Sequence, residues 1–229
     1  MTKRLAFSIA LLSCICIAAP AQNDLDRDWA DFGRYGEANA EVAESPLAVL
    51  MGDSITDGWF SKDGSFFEDG TFIGRGISGQ VTSQMLVRFR RDVIDLHPKY
   101  VVILAGINDI ALNQGRISKE NTLGNIISMA EIARANGIKP VFCSLFKTDA
   151  IPWRSEAGNP TEDVLWINEG LKDYAASHRI IYIDYAASLI PEGAVKMPEN
   201  YSKDGVHPTV EAYKVMEGLL MDALKIKKK

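Results

Sequence analysis

The chain has 229 residues, of which 47% are apolar, and a formal charge of −5. This length and composition are typical of one globular domain with a large core, and there is no internal repeat or low-complexity linker. The acidic balance makes nucleic acid and anionic membrane surfaces poor candidate partners.

The first 21 residues have the pattern of a secretory signal peptide. Lys3 and Arg4 give a basic start, an apolar block covers residues 5–17, and a small-x-small site ends at Ala21. The block is too short to span a bilayer comfortably. We therefore predict cleavage after Ala21 and export to the periplasm or the outside, without stable membrane insertion after cleavage. Loss of Lys3 and Arg4 takes the charge from −5 to −7.

Lipid anchoring at Cys14 is the alternative to simple cleavage. The sequence Leu12-Ser13-Cys14 resembles a lipoprotein cleavage site, but apolar residues follow Cys14. A lipidated cysteine is usually followed by a polar tether, so anchoring is the less favoured interpretation.

Residues 22–229 are predicted to form a single domain that begins with a helical segment over residues 22–45. The stretch 24–44 is polar and helix-compatible, and its aromatic residues Trp29, Phe32 and Tyr35 are spaced by three. Such residues fall on neighbouring helical turns. We expect this stripe to pack on the domain, and a contribution to a substrate cleft is less favoured.

From residue 47 onward, apolar runs alternate with amphipathic segments. The predicted strands cover residues 47–51, 71–75, 100–105, 140–146 and 180–184, and the predicted helices cover residues 81–95, 119–136, 161–177 and 209–225. This alternation indicates a parallel sheet covered by helices on both faces. The predicted fold is an α/β three-layer α/β/α sandwich with a five-stranded parallel sheet in the flavodoxin-like order 2-1-3-4-5.

Three predicted connections are longer than their geometry requires. They cover residues 59–70, 147–160 and 185–203, and each leaves the carboxyl end of a strand. Long loops at one edge of a sheet usually shape a binding site.

The first strand ends in Gly52-Asp53-Ser54, which places a serine at the carboxyl edge of the sheet. Ligands of open α/β sheets bind outside that edge. On its own the tripeptide is weak support for a nucleophile, since serines that only cap a helix are common.

A nucleophilic serine needs a base, and the chain has three histidines. His97 and His178 precede strands 3 and 5, so the strand length of about 3.3 Å per residue puts them roughly 16 Å from Ser54. They are expected to be solvated residues at helix ends. His207 follows strand 5 and its loop at the carboxyl edge, which makes it the predicted base.

Asp204 lies three residues before His207 in a loop that contains Gly205 and Pro208. An acid and an imidazole on one rigid loop can face each other, and the acid would then orient the ring and stabilise the imidazolium. Half of a metal site is the other interpretation, but no second ligand cluster accompanies the pair. We therefore predict no metal and no cofactor.

Acyl transfer to such a serine would also need hydrogen-bond donors for the oxyanion. Strand 3 leads to Asn108, whose amide falls at the same edge as Ser54, and strand 2 leads to Gly79, which can present a bare backbone N–H. Cys143 lies in an apolar strand and is predicted to be a buried core residue, not a nucleophile.

Together these features closely resemble the SGNH hydrolases, also called GDSL esterases/lipases, over residues 47–225. The four ordered blocks are Gly52-Asp53-Ser54, the glycine of Ser78-Gly79-Gln80, Gly106-Ile107-Asn108-Asp109, and Asp204-Gly205-Val206-His207-Pro208. The surrounding sequence, including Trp59 and Pro152-Trp153-Arg154, looks most like a particular branch. That branch contains acetylhydrolases related to platelet-activating-factor acetylhydrolase and to bacterial carbohydrate acetylesterases.

The resemblance implies a role for each matching residue. Ser54 would be the nucleophile, His207 the base and Asp204 its orienting acid, with Ser54 N–H, Gly79 N–H and the Asn108 side chain as the oxyanion hole. Two positions depart from the family pattern. Ile55 replaces the leucine of the family name, and Gln80 stands where many members have aspartate, which leaves open how the Gly79 turn is held.

The resemblance implies an exported, metal-independent serine esterase that removes a short acyl group, with acetyl favoured, from a carbohydrate or similar small ester. Trp59, Phe60 and Trp153 are candidates for stacking on a sugar, and Arg154 is a further candidate for substrate binding. Packing of the loops is an equally good explanation for any one of these aromatic residues. Alternatives are a lysophospholipase or thioesterase-type acyl hydrolase on the same site, or a non-catalytic carbohydrate-binding protein on the same fold.

Overall fold

A computed structural model describes residues 28–226, so the predicted signal peptide and Cys14 lie outside the described residues. At its centre is a five-stranded sheet in the order β2-β1-β3-β4-β5, with every neighbouring pair parallel. The strands are β1 Ala48–Gly52, β2 Phe72–Gly76, β3 Tyr100–Leu104, β4 Lys139–Cys143 and β5 Ile181–Ile183. The predicted strand order and parallel sheet are confirmed.

The strands were recognisable because the sheet is covered on both faces. All five residues of β1 are buried, as are the last four of β3 and of β4. Strands of this kind appear as continuous apolar runs in the sequence. Cys143 ends β4 and is fully buried, as predicted, and burial raises the pKa of its thiol.

The helices form the two outer layers. They are α1 Gly36–Ala40, α2 Ser54–Lys62, α3 Thr82–Asp92, α4 Ile107–Ile110, α5 Lys119–Ala135, α6 Thr161–His178, α7 Tyr185–Leu189 and α8 Val210–Ala223. Helices α3, α5 and α6 contact one another in series, whereas α2 and α7 contact α8. Within residues 28–226, no helix combines the length and the apolar character needed to cross a membrane.

The first predicted long connection, residues 59–70, is wrong over residues 59–62, which are helical. Helix α2 begins at Ser54 and runs to Lys62, and a 3-10 turn follows over Gly64–Phe67. This helix has no recognisable sequence pattern, because α2 buries only Ile55, Thr56 and Trp59 and so has no extended apolar stripe. The third predicted connection, residues 185–203, begins with the short helix α7.

The predicted helix over residues 24–44 is also wrong in its described part. From residue 28 the chain makes successive turns and only the five-residue helix α1, and Trp29 and Phe32 are exposed. Hydrogen bonds, and not an aromatic stripe, attach this segment to the rest of the domain. Tyr35 Oη donates to the Gly76 carbonyl, and Gln80 Nε2 donates to the Ala30 carbonyl at 2.8 Å.

Candidate active site

Three strand ends meet beside Ser54. In the sheet register Gly52 pairs with Gly76 of β2 on one side and with Leu104 of β3 on the other. The segments that carry Ser54, Gly79 and Asn108 therefore leave the same edge next to one another. Gly76 permits this approach, because a Cβ at that position would lie 2.3 Å from the backbone nitrogen of Asp57.

Ser54 is the first residue of α2, and its neighbour caps the helix. The Asp53 side chain accepts a hydrogen bond from Ile55 N at 3.0 Å. Asp53 is therefore the N-cap residue of α2, so the Ser54 hydroxyl is free for other partners. As a first-turn residue, Ser54 has a backbone N–H without an acceptor inside the helix, at the positive end of the helix dipole.

The Ser54 hydroxyl lies against His207. Ser54 Oγ is 2.9 Å from His207 Nε2, and His207 Nδ1 is 2.7 Å from Asp204 Oδ2. These three predicted residues are brought together as a continuous chain of hydrogen bonds. The carboxylate accepts the Nδ1 proton, so the Nε2 lone pair faces the serine hydroxyl. Such an arrangement can take a proton from Ser54 and later return it to a leaving group.

The turn around Asp204 is built by its own carboxylate. Asp204 Oδ1 accepts hydrogen bonds from Val206 N at 2.9 Å, from His207 N at 2.8 Å and from Ser202 Oγ at 3.1 Å. Burial acts to raise the pKa of Asp204, but the hydrogen bonds from the His207 side chain and the backbone N–H groups outweigh it. The pKa is held well below its usual value. The acid therefore stays ionised beside the imidazole.

Asn108 and Gly79 face each other across the end of β1. Asn108 is 1% exposed, near the start of α4, and its Nδ2 donates to the Gln80 carbonyl at 3.0 Å. Gly79 has φ +80°, a left-handed conformation that favours glycine. Together with the N–H of Ser54, these groups offer hydrogen-bond donors at one rim of the sheet.

Gln80, whose role the sequence left open, is held by a buried arginine. Arg88 is fully buried and donates from Nε to Gln80 Oε1 at 2.6 Å and from Nη2 to the carbonyls of Gly52 and Arg75. Gln80 then donates to the Ala30 carbonyl on its other side. An aspartate at this position would accept from Arg88 but has no donor for Ala30.

Asp109 is a second support that the sequence analysis did not predict. Its buried carboxylate accepts from Thr82 N at 2.9 Å and from Thr82 Oγ1 at 2.5 Å, which ties α4 to the start of α3. Burial raises the pKa of Asp109 to about 6. The Asn-Asp pair of the third block was visible in the sequence, but the threonine partner lies 27 residues away along the chain.

The two other histidines lie where the strand directions predicted. His97 is exposed and precedes β3, and His178 is exposed at the last turn of α6, where its ring stacks on Tyr174 at 3.8 Å. Both therefore belong to the amino edge of the sheet, opposite Ser54.

The predicted substrate role of Trp59 is wrong. Trp59 is 2% exposed, is stacked against Phe66 and Tyr213, and donates its indole N–H to Glu217. A ring enclosed in this way has no face for a sugar. Phe60, the next residue, is exposed on α2.

Trp153 lies at the site. Its ring centroid is 5.3 Å from that of His207, it is 38% exposed, and its indole N–H donates to Asn113 Oδ1 at 3.1 Å. Arg154 is half-buried beside it, and its backbone N–H closes a turn on the Ile151 carbonyl. The substrate roles of Trp153 and Arg154 stay predictions.

A small cavity lies among the core residues next to Ser54. The enclosed cavity lined by both neighbours of Ser54, with Leu104, Leu145, Phe146 and Val206 among its other walls, has a volume of about 10 Å³. That space is at the lower limit for one water molecule. Across residues 28–226 no group of three or more His, Cys, Asp or Glu side chains is arranged to hold a metal ion. Metal independence stays a prediction.

Comparison with known proteins identifies the family. The model of the GDSL-like Lipase/Acylhydrolase family matches residues 50–215. A proposed acylhydrolase from Bacteroides fragilis is 41% identical, with a TM-score of 0.84 over 87% of this chain and 98% of that one. The chain belongs to the GDSL-like lipase/acylhydrolase family. It is thus a carboxylic ester hydrolase.

Two more distant matches concern the fold and a short segment. An acetylxylan esterase from Geobacillus stearothermophilus, solved as a catalytic mutant, shares the fold at 15% identity. Its TM-score is 0.61 over 80% of this chain and 96% of that one. The uncharacterized lipoprotein YqeF of Bacillus subtilis (strain 168) is 42% identical over 72 residues. This match covers 30% of each protein, so the chain spans less than a third of that curated relative.

Proposed function

We propose that the protein is an exported serine esterase that removes a short acyl group, acetyl first, from an oxygen of a carbohydrate or similar small alcohol. The observation that carries the proposal is the unbroken hydrogen-bonded series Ser54 Oγ, His207 and Asp204, with separations of 2.9 and 2.7 Å. In this proposal Ser54 is the nucleophile, His207 the general base and Asp204 the residue that orients it.

The reaction follows from these positions. Ser54 Oγ attacks the ester carbonyl carbon while its proton passes to His207 Nε2, and Asp204 stabilises the imidazolium. The oxyanion accepts hydrogen bonds from Ser54 N–H, Gly79 N–H and Asn108 Nδ2. The intermediate collapses, His207 returns the proton to the departing alcohol, and an acyl-serine remains. Water, deprotonated by His207, then attacks the acyl-serine to release the acid and regenerate Ser54.

The small acyl group is inferred from the packing below Ser54. A cavity of about 10 Å³ cannot take up an alkyl chain, so a long acyl group would find no burial in it. Without burial it would gain little of the about 0.8 kcal/mol per methylene that an acyl tunnel provides. An acetyl group needs no such tunnel.

The position of Trp153 favours a sugar as the alcohol part of the ester. Its partly exposed ring lies next to His207, the residue that in this proposal returns the proton to the leaving alcohol. Aromatic faces pack well against the apolar faces of rigid rings. A protein of the same fold is named an acetylxylan esterase, so this fold is known with an acetylated sugar as its substrate.

We expect kcat/KM on aryl esters to be highest for acetate and to fall at least tenfold by hexanoate. The physical reason is that the cavity of about 10 Å³ next to Ser54 cannot take up added methylenes. Steady-state kinetics on aryl esters from acetate to octanoate tests the acyl group. Acetate release from acetylated xylo-oligosaccharides then tests the alcohol part. Activity that rises with chain length would instead favour the lysophospholipase or thioesterase-type alternative.

Asn108→Ala should lower kcat roughly 100- to 1,000-fold with little change in KM, because the lost donor contacts charge that exists only in the transition state. A fluorophosphonate probe should still label Ser54, only more slowly, since His207 is intact. Asn108 is also buried and hydrogen-bonded, so the melting temperature must be measured beside turnover. A folded variant with wild-type kcat would remove Asn108 from the proposed oxyanion hole.

Export rests on the amino-terminal sequence pattern, and the name of the lipoprotein YqeF supports it. Lipid attachment at Cys14 would hold the same domain at a membrane surface, and simple cleavage after Ala21 would release it. We propose the cleaved form because the residues after Cys14 are apolar.

A further inference from the structure

Asn113 lies just after α4 and joins three parts of the candidate site. Its Nδ2 donates to Asn108 Oδ1 at 2.9 Å and to the Gly79 carbonyl at 3.2 Å. Its Oδ1 accepts the indole N–H of Trp153 at 3.1 Å. The residue is half-buried.

The orientation of the Asn113 amide is determined by its partners. The Gly79 carbonyl can only accept and the Trp153 indole can only donate, so the nitrogen must face Gly79 and the oxygen must face Trp153. Both Nδ2 protons are then used, one on Gly79 and one on Asn108.

The same reasoning determines the Asn108 amide. Its oxygen accepts from Asn113 and one of its N–H groups donates to the Gln80 carbonyl. One N–H remains, and it is the group that the proposed mechanism assigns to the oxyanion. The terminal torsion of an asparagine is soft, so without a donor at Oδ1 the amide can rotate or exchange its nitrogen and oxygen positions.

We propose that Asn113 is the positioning residue of the oxyanion hole, holding the Asn108 amide and the Gly79 turn together so that both N–H groups converge on one oxygen. The inference rests on the proposed serine-esterase function. Asn113 acts through its two neighbours and does not itself contact the reacting atoms. Donors fixed before the reaction need no reorganisation in the transition state, and residues that fix them contribute to rate.

The experiment compares Asn113→Ala and Asn113→Asp with Asn39→Ala. Asn113→Asp keeps the shape but turns an acceptor toward the Gly79 carbonyl and Asn108 Oδ1. Asn39 is a matched control, since it is also half-buried and its side chain makes three hydrogen bonds, to Asp92, to the Arg91 carbonyl and from Arg75. The readouts are the fluorophosphonate labelling rate of Ser54, kcat and KM on aryl acetate, and melting temperature.

Both Asn113 variants should slow labelling and lower kcat by about 10- to 100-fold, the range known for the loss of residues that orient metal ligands by hydrogen bonds, as Asn113 orients Asn108. KM should change less than about threefold, and Asn39→Ala should label at the wild-type rate. In an Asn108→Ala background, Asn113→Ala should cost only about threefold, because one of the two groups it positions is already absent.

Equal losses from Asn113→Ala in the wild-type and Asn108→Ala backgrounds would overturn the positioning role, as would wild-type labelling in both Asn113 variants. If Asn113→Ala does not fold, the isosteric Asn113→Asp variant decides the matter. Labelling does not depend on the identity of the natural ester. A wild-type protein that is not labelled would overturn the serine-esterase function and the role of Asn113 with it, whereas a labelled wild type with equally fast variants overturns the role of Asn113 alone.

Discussion

Ser54→Ala should abolish hydrolysis of aryl acetate, with a loss of kcat of roughly 10⁶-fold, and should eliminate labelling by a fluorophosphonate probe. The size follows from the loss of the attacking oxygen, which leaves only the contribution of binding and the oxyanion donors. The measurement is turnover under substrate saturation beside intact-protein mass after probe treatment.

The structure allows this variant to be interpreted without a folding artefact. The cap of α2 is Asp53, so removing the Ser54 hydroxyl leaves the helix start intact. Ser61→Ala is a matched control on the same helix, since its hydroxyl only donates back to the Gly58 carbonyl. We expect Ser61→Ala to keep wild-type turnover and both variants to melt near the wild-type temperature. Undiminished labelling of a folded Ser54→Ala protein would remove Ser54 as the nucleophile.

The sheet was predictable from the sequence for a physical reason. Strands buried on both faces must be apolar throughout, so β1 and β3 stood out as uninterrupted runs. Parallel strands also place the residues that follow them at one edge. From that rule alone, the sequence predicts that Ser54, Asn108 and His207 lie at the same edge of the sheet.

Features that depend on partners far along the chain were not predictable. Nothing in the sequence near Gln80 shows that it bridges Arg88 and the Ala30 carbonyl, 50 residues earlier. The predicted substrate role of Trp59 is wrong for a related reason. Its position on α2 is not recognisable in the sequence, because the helix has no apolar stripe. Its burial depends on contacts with Tyr213 and Glu217 of α8.

The amino-terminal segment shows how local propensity can mislead. Aromatic residues spaced by three predicted a helix, but Asp31 takes a left-handed conformation with φ 52°, and Gly33 N donates to the Asp28 side chain. The left-handed residue and the side-chain hydrogen bond both favour a turn over a helix. The segment is attached to the end of β2 through Tyr35, whose Oη donates to the Gly76 carbonyl.

His207→Ala should cost nearly as much activity as Ser54→Ala, with kcat falling by roughly 10⁶-fold, because the members of such a unit depend on one another. Without the imidazole nothing accepts the Ser54 proton, and the neutral hydroxyl is a poor nucleophile. For the same reason, the double variant Ser54→Ala/His207→Ala should be scarcely slower than either single variant. Labelling of Ser54 by the probe should also fall steeply.

His97→Ala and His178→Ala are the matched controls for this prediction, because they remove the same side chain from the opposite edge of the sheet. Both histidines are exposed, and the His178 side chain contacts Ser177 and Tyr174 of its own helix, while its backbone carbonyl, which alanine keeps, accepts from Arg134. We expect turnover within about twofold of wild type in each, as for surface substitutions away from a site. The measurement is kcat on aryl acetate for all three histidine variants, with circular dichroism to confirm folding. A folded His207→Ala enzyme that retains most of its turnover would mean that another group activates Ser54, and the 2.9 Å contact between Ser54 Oγ and His207 Nε2 would then have no catalytic role.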